Sequence, residues 1–183
     1  MKLIPTAIPD VLLLEPRVFG DERGYFYESW NRRSFAELGI AGMDAGIVQD
    51  NHSKSQRNVL RGLHYQIEHA QGKLIRVIAG AVYDVAVDLR RSSPSFGQWV
   101  GFTLTAADKR MAWIPPGFAH GFCVTSDAAE ILYKTTDYWS PAHERTLLWN
   151  DPQLAIPWPL TGEPLLAAKD VAGRPFGQAE TFA

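Results

Sequence analysis

The chain has 183 residues, a formal net charge of −2 and 46% hydrophobic residues. This length predicts about one domain with a sizeable core. The near-neutral charge excludes the overall basic field typical of proteins that bind nucleic acid or membrane surfaces. No apolar segment reaches the roughly 20 residues that a transmembrane helix needs.

Cysteine content and the start of the chain indicate a compartment. Cys123 is the sole cysteine, so no intrachain disulfide can form, which suits a reducing cytoplasm. We expect its thiol to pack as a small apolar group rather than to react. Pro5 and Pro9 interrupt the chain before an apolar run of signal-peptide length accumulates. A cytoplasmic location is therefore expected.

Two short elements are predicted near the start of the chain. Residues 11–14 form an apolar run that a Glu-Pro pair closes, which is typical of a strand. Asn31 is a suitable N-cap for a helix that continues through Leu38 and ends at Gly39. The segment between these elements mixes turn residues with aromatic and charged side chains.

From residue 47 onward the pattern changes to strands. Apolar runs are separated by turn signals about every ten residues, which indicates an all-β sandwich or barrel. The tail from Pro152 is rich in proline and has no periodicity, so we expect it to wrap the surface or close a site without adding to the core. No linker divides the chain, and residues 1–183 are predicted to form a single domain. The predicted strands are residues 47–52, 60–66, 73–78, 82–89, 99–104, 111–114 and 130–139.

An arginine and a histidine occur three residues apart in the predicted strand at 60–66. Arg61 is a permanently charged donor for phosphate or carboxylate, and His64 is a side chain that titrates near neutral pH. In a regular strand these two positions point to opposite faces. Gly62 between them is where a bulge could turn both side chains inward. The alternative is an edge strand with one solvated arginine and one structural histidine.

Alternation places further polar side chains among apolar ones. Lys73 opens a strand whose alternate positions are apolar, so its ammonium group either reaches water at the strand end or lines a cavity. A phenol and an indole can face the same cavity, because four side chains of the strand at 130–139 are spaced by two: Tyr133, Thr135, Asp137 and Trp139. In the strand at 82–89, Asp84 and Asp88 lie on the face opposite Tyr83, Val85, Val87 and Leu89.

The turn before His120 resembles the second signature of the cupin jelly rolls, P-x-G-x-x-H, which begins here at Pro115. The first cupin signature supplies two further histidines and a glutamate for a metal. Here His64 keeps the first position, Gln66 occupies the second, and Lys73 lies near the place of the glutamate. A lysine repels a divalent cation and must lose its proton to bind one. The residues therefore predict a cupin without a metal. His52, His69 and His143 are expected at the surface.

Four motifs occur in order along the chain: RGLHYQ at 61–66, GKLIRV at 72–77, PGFAHGF at 116–122 and YKTTDYW at 133–139. Together they resemble the dTDP-4-dehydrorhamnose 3,5-epimerase family, and the resemblance runs from about Phe19 to Asp170. The resemblance implies an all-β, cupin-type jelly-roll β-sandwich with few short helices and with extended N- and C-terminal arms. It also implies a homodimer, a dTDP-sugar substrate, no cofactor, and no nucleic-acid or membrane partner.

The resemblance implies epimerisation of dTDP-4-dehydro-6-deoxy-D-glucose at C3 and C5 to dTDP-4-dehydro-L-rhamnose, in dTDP-L-rhamnose biosynthesis. Such a reaction removes a carbon-bound proton beside a ketone, holds an enolate and returns a proton to the other face. His64 matches the base, and Asp170 matches the carboxylate that orients it. Lys73 matches the group that stabilises the enolate oxygen, and Tyr133 matches the acid on the opposite face.

The same resemblance implies a set of substrate-binding residues. Arg23 and Arg61 match partners of the pyrophosphate, where bidentate contacts are strongest. Trp139 matches an aromatic residue, often tyrosine in the family, that stacks on the thymine, and Phe19 is expected to do the same from a neighbouring chain. Gln49 and Asn51 match positions on the nucleotide side, and the further pocket positions are Glu28, His120, Glu144 and Lys169.

Three alternatives stay open at this point. A 3- or 5-mono-epimerase of an antibiotic-sugar pathway shares the same motifs, because the difference lies in substrate pose and in the face that is reprotonated. A metal-dependent cupin oxygenase or isomerase would need the missing ligands. A non-catalytic sugar-binding jelly roll would not depend on His64.

Overall fold

The computed structural model describes residues 1–43 and 46–183, which form mostly β-strands. Two short helices are α1 (Arg32–Ala36) and α2 (Ala168–Val171), and a 3₁₀ turn lies at Phe176–Gln178. In the described residues no helix is long and apolar enough to span a membrane. The strands are β1 (Lys2–Pro5), β2 (Leu12–Glu15), β3 (Phe19–Asp21), β4 (Gly24–Phe26), β5 (Gln49–Gln56), β6 (Leu60–Gln66), β7 (Lys73–Ala79), β8 (Ala81–Asp88), β9 (Trp99–Thr105), β10 (Met111–Ile114), β11 (Phe118–Val124), β12 (Ala128–Thr135) and β13 (Glu144–Thr146).

Two antiparallel sheets form the body of the molecule. The first has the strand order β1-β2-β10-β7-β12-β5, and the second has the order β13-β6-β11-β8-β9. Apolar side chains from both sheets, including Ile75, Ile131, Val82 and Phe122, share one buried cluster. The β3–β4 hairpin forms a separate two-stranded sheet and, within the described part of the chain, pairs with no other strand. The prediction of an all-β sandwich with few short helices is confirmed.

Helix α1 follows its predicted cap but is shorter than predicted. Asn31 Oδ1 accepts hydrogen bonds from the backbone N–H groups of Arg33 and Ser34, as an N-cap should. The helix ends at Ala36 rather than Leu38, and Gly39 follows with a φ of +63°. Phe35 is buried and packs on Trp30, with ring centroids 4.6 Å apart.

The proline-rich tail adds to the core, so the prediction that it would not was wrong. Leu154, Ile156 and Phe176 are buried in a second cluster with residues of β6 and β8. Asp151 fixes the backbone of the tail, because its carboxylate accepts hydrogen bonds from the backbone N–H groups of Gln153, Leu154 and Phe176. Isolated apolar residues between prolines carry no periodicity, so the sequence pattern did not reveal their burial.

Strand β12 ends at Thr135, four residues before the predicted end at Trp139. Thr135 Oγ1 donates to the carbonyl of Asp137, and the Asp137 carboxylate accepts from the next backbone N–H group. These local bonds form a turn. Asp137 and Trp139 therefore lie in a loop and do not continue the face that carries Tyr133.

Strand β6 contains a bulge at Gly62. His64 pairs with His120, whereas Arg61 pairs with Phe122, so β6 has one more residue than β11 across this interval. Gly62 has a φ of +120°, and a Cβ atom there would lie 2.5 Å from the Cα of Gly121. The extra residue places Arg61 and His64 on the same side of the sheet.

Replacing Gly62 by alanine tests the close approach at this bulge. We expect Gly62→Ala to lower the free energy of unfolding by about 3 kcal/mol, because it adds a backbone clash to an unfavourable φ. Gly24→Ala is the matched control, since Gly24 has a φ of +129° and, apart from its chain neighbours, no atom of the described residues lies within 4 Å of its Cβ position. We expect a loss of about 1 kcal/mol there, measured by urea unfolding. Equal losses in the two variants would contradict a role for the close approach.

Candidate active site

A cavity of about 360 Å³ opens between the two sheets. Both sheets supply polar side chains to it, and the helix α2 and the loop after β12 complete its mouth. It is the place where most of the predicted site residues meet. Those that line it are Gln49, Asn51, Arg61, His64, Lys73, His120, Tyr133, Trp139, Glu144, Lys169 and Asp170.

The side chains that can take part in acid–base chemistry lie on the two sheets, which form two facing walls of the cavity. His64, on β6, and His120, on β11, are paired neighbours in one sheet. Lys73, on β7, and Tyr133, on β12, belong to the other sheet. A flat ligand between the walls would meet imidazole on one face and phenol on the other.

His64 forms a short hydrogen bond to Asp170, with 2.6 Å between Nε2 and Oδ1. A carboxylate only accepts, so Nε2 carries the proton and Nδ1 keeps its lone pair in the neutral ring. Burial would raise the pKa of Asp170, which is 1% exposed, but the hydrogen bond and charge of His64 outweigh it and the pKa is lowered. Backbone N–H groups of Gly62 and Ala167 also donate to this carboxylate. Asp170 is thus held as an anion that orients the imidazole.

Lys73 lines the cavity and does not reach bulk water at the strand end, since it is only 7% exposed. Burial lowers the pKa of its ammonium group to about 8, and the carboxylates of Glu144 and Asp84 oppose that effect. A partly desolvated cation is well placed to stabilise an oxyanion, because its charge is little screened there.

Tyr133 faces the same cavity from β12. Burial raises the pKa of its phenol, the charge of Arg61 lowers it to a smaller extent, and Glu144 raises it further. The phenol therefore keeps its proton near neutral pH and can act as a donor. This state suits a general acid.

The mouth of the cavity combines cations with an exposed aromatic ring. Trp139 is 57% exposed, and its backbone N–H donates to Gln49 Oε1 over 3.0 Å. Arg61 is anchored by a 3.0 Å hydrogen bond from its Nε to Ser55 Oγ. Lys169 Nζ lies 2.9 Å from Glu144 Oε1. Such an edge can bind a phosphate group and stack a planar base.

Phe19, Arg23 and Glu28 lie outside the cavity of their own chain. Phe19 and Arg23 belong to the exposed β3–β4 hairpin, where the Arg23 side chain turns back onto Asp21. Glu28 accepts a hydrogen bond from Asn31 Nδ2. Their predicted binding roles stay predictions, because within one chain they are not brought to the other residues.

The residues do not fit the divalent metal of other cupins. Gln66, at the position of a second histidine ligand, uses its amide to hold two loops. Its Nε2 donates to the carbonyls of His69 and Tyr138, and its Oε1 accepts from Ser140. Lys73 adds a positive charge to the site. Among residues 1–43 and 46–183, no three His, Cys, Asp or Glu side chains are grouped as metal ligands.

The cavity has a second imidazole–carboxylate pair that was not predicted from the sequence. Asp84, on β8, is fully buried and accepts a 2.9 Å hydrogen bond from His120 Nε2 through its Oδ2. Gln71 was not predicted either; its Nε2 donates to the carbonyl of Asp137 in the loop after β12. The signal for Asp84 was present, because Val82 and Ala86 alternate with it, so both faces of the strand carry apolar residues and a carboxylate there needs a partner.

The chain matches the family model described as dTDP-4-dehydrorhamnose 3,5-epimerase over residues 5–178. It is 62% identical over 182 residues to a dTDP-4-dehydrorhamnose 3,5-epimerase of Pseudomonas aeruginosa, covering 100% of this chain and 99% of that protein. A dTDP-4-dehydrorhamnose 3-epimerase of Streptomyces niveus is 39% identical over 171 residues, covering 93% of this chain and 81% of that protein.

Solved structures agree with these matches. A dTDP-6-deoxy-D-glucose-3,5-epimerase of Legionella pneumophila, in complex with dTDP-4-keto-L-rhamnose, superposes with a TM-score of 0.93 at 50% identity. The superposition covers 98% of this chain and 94% of that one. The fold and the family predicted from the sequence motifs are confirmed, and the chain belongs to the dTDP-4-dehydrorhamnose 3,5-epimerase family.

Proposed function

We propose that this protein epimerises dTDP-4-dehydro-6-deoxy-D-glucose at C3 and C5, giving dTDP-4-dehydro-L-rhamnose. The observation that carries the proposal is the pair of facing walls, with the His64–Asp170 pair on one side and Tyr133 on the other. Inversion beside a ketone requires a base and an acid on opposite faces of the sugar ring. The cavity supplies both.

His64 is the base in this reaction. Its Nδ1 takes the proton from the carbon beside the C4 ketone, and Asp170 stabilises the imidazolium that results. Asp170 stays ionised through this step, because its pKa is lowered by the hydrogen bond from His64 despite burial. Both reacting carbons flank the same ketone, so one base serves both positions.

Lys73 stabilises the enolate that forms when the proton leaves. Its ammonium group is buried beside the reacting centre, where a fixed charge commonly contributes a few kcal/mol to transition-state stabilisation. One enolate oxygen is common to both proton transfers. A single lysine therefore supports both steps.

Tyr133 returns a proton to the face opposite His64. Burial raises the pKa of its phenol, so the proton is present near neutral pH. Delivery from the opposite wall inverts the carbon, whereas return from His64 would restore the starting configuration. The order in which C3 and C5 react does not affect this assignment.

The cations at the mouth suit a nucleoside diphosphate. Arg61 offers a planar fork for phosphate oxygens, and Lys169 adds a second cation. Trp139 presents an exposed indole for stacking on a planar base. The Legionella relative was solved with dTDP-4-keto-L-rhamnose, which supports a ligand of this class here.

The relatives favour double epimerisation over single. The Pseudomonas 3,5-epimerase is 62% identical to this chain, and the Streptomyces 3-epimerase is 39% identical. Double and single epimerases share this fold, so an isotope experiment is needed to distinguish the two activities.

We propose further that the protein works as a homodimer in the cytoplasm. The exposed β3–β4 hairpin carries Phe19 and Arg23 away from the cavity of its own chain, and its aromatic side chains Tyr25 and Phe26 are exposed as well. In a dimer, Phe19 and Arg23 would complete the cavity of the partner chain. The sole cysteine, Cys123, is a buried free thiol, which supports the proposed location in a reducing compartment.

Deuterium incorporation tests the reaction. We expect incubation with dTDP-4-dehydro-6-deoxy-D-glucose in deuterated water to place deuterium at both C3 and C5, because the proton returned comes from exchangeable groups. NMR of the product reads each carbon separately. Label at one carbon alone would establish a mono-epimerase, and label at neither would exclude epimerisation of this substrate.

Removing the base tests the role of His64. We expect His64→Asn to lower kcat by about 10²–10⁴-fold, with little change in the affinity for dTDP. Asp170→Asn is expected to act in the same direction, because the amide no longer stabilises the imidazolium. His52→Asn is the matched control, since His52 pairs with Glu130 on the exposed side of the sheet. An active His64→Asn variant would favour the non-catalytic sugar-binding alternative.

Mixing two inactive variants tests the shared site. His64→Asn disables the cavity, and the double variant Phe19→Ala/Arg23→Ala disables the hairpin. If the hairpin completes the partner's cavity, random mixing by co-expression should restore about a quarter of wild-type activity, because half of the dimers carry one intact site.

The control mixes two cavity variants, His64→Asn and Asp170→Asn, in which no intact site can form. An absence of recovery in the first mixture would mean that the hairpin acts within its own chain. Full activity of the hairpin variant alone would mean that Phe19 and Arg23 bind no substrate.

A further inference from the structure

Asp84 is fully buried behind His120 and does not line the cavity itself. It lies on β8, whose neighbour β11 carries His120, and the two residues are joined by the 2.9 Å contact between Oδ2 and Nε2. The carboxylate only accepts, so Nε2–H donates to it. The other ring nitrogen, Nδ1, is then the one that can meet a ligand.

The second oxygen of Asp84, Oδ1, is buried but, among the residues that the structure describes, is not engaged in a hydrogen bond. A buried carboxylate with one unbonded oxygen is uncommon and requires a compensating interaction. Tyr83 and Val85, its neighbours in the strand, pack in the second cluster with the tail residue Leu154. Asp84 is on the other face of β8 and therefore points into the space between the two sheets.

Lys73 supplies a compensating charge from the opposite sheet. It is the cation whose pKa responds to Asp84: burial lowers that pKa to about 8, and Glu144 and then Asp84 raise it against burial. The two carboxylates therefore hold the proton on Lys73 together. The other titratable or charged groups that line this cavity are Arg61, His64, His120, Tyr133, Lys169 and Asp170.

We propose that Asp84 is a positioning residue of this cavity, which orients His120 through one oxygen and balances the buried charge of Lys73 through its carboxylate. The assignment rests on the proposed epimerase function. Asp84 never touches the substrate. It acts by fixing the ring of His120 on one wall and by keeping Lys73 on the other wall protonated, so that the ammonium group can donate to the developing enolate oxygen.

The role of Asp84 differs from that of Asp170, although both accept a hydrogen bond from a histidine. Asp170 leaves His64 with a basic nitrogen for proton removal, and backbone N–H groups satisfy the rest of its carboxylate. Asp84 has no such backbone donors among the described residues, so its remaining charge acts on Lys73. One carboxylate serves the base, and the other serves the oxyanion site.

The pH dependence of kcat/KM tests this role. Lys73 acts as an ammonium group, so activity of the wild-type protein should fall as pH rises through about 8. Asp84→Asn removes a negative charge that favours the ammonium form, so the fall should move to lower pH by about one unit. At pH 7 this shift leaves about half of the Lys73 side chains protonated, so kcat/KM is expected to fall roughly twofold from this effect, and to fall further as the pH is raised.

Asp88→Asn is the matched control. Asp88 is another fully buried carboxylate of β8, but its partners are Arg90, Ser93 and Ser95, outside the cavity. We expect this variant to unfold at lower urea concentration and to keep the wild-type pH profile. A shift of equal size in both variants would overturn the proposal, because it would reflect general loss of structure.

A titration independent of activity separates this proposal from the proposed function. The pKa of Lys73 can be followed by NMR of labelled lysine side chains, with Lys73→Met to assign the signal. A lower Lys73 pKa in Asp84→Asn supports the role of Asp84 even if the assayed keto-sugar is not the substrate. An unchanged Lys73 pKa in a folded variant overturns it, even if the protein is an active epimerase. If Asp84→Asn fails to fold, Asp84→Ser is measured in the same way.

Discussion

The close approach of β6 and β11 at two facing glycines is the constraint on which the site depends. A side chain at Gly62 would collide with the backbone of Gly121, and one at Gly121 would lie 2.7 Å from the carbonyl oxygen of Arg61. With both positions empty, β6 can hold one extra residue and still pair with β11. The bulge puts Arg61 on the same side as His64, and it turns the N–H of Gly62 toward Asp170.

The cavity resolves a conflict between burial and charge. Cations, carboxylates and imidazoles lie beside an apolar core, where an isolated charge would be costly. Three of these groups are paired with a carboxylate: His64 with Asp170, His120 with Asp84, and Lys169 with Glu144. Lys73 is the least compensated of these groups, which is why burial shifts its pKa down to about 8. The least satisfied cation is the one best suited to hold a new negative charge.

Much of the site could be predicted because its residues lie on strands with regular alternation. Lys73 shares a face with Ile75, and Tyr133 shares a face with Ile131, so their inward direction follows from a period of two. Prediction failed where local hydrogen bonds or distant contacts decide. The turn at Asp137 ended β12 early, and the buried tail residues Leu154 and Ile156 showed no pattern before their partners were known.

The sequence by itself determined the strand-rich class, the family, and the inward face of most polar residues, because these depend on short-range periodicity and on ordered motifs. The tertiary structure decided which faces meet. Asp170 is distant from His64 in the chain and on a short helix without periodicity, yet the tail brings it within 2.6 Å. Likewise, only the pairing of β8 with β11 joins Asp84 to His120. Contacts between distant segments depend on strand order and register, which no local pattern encodes.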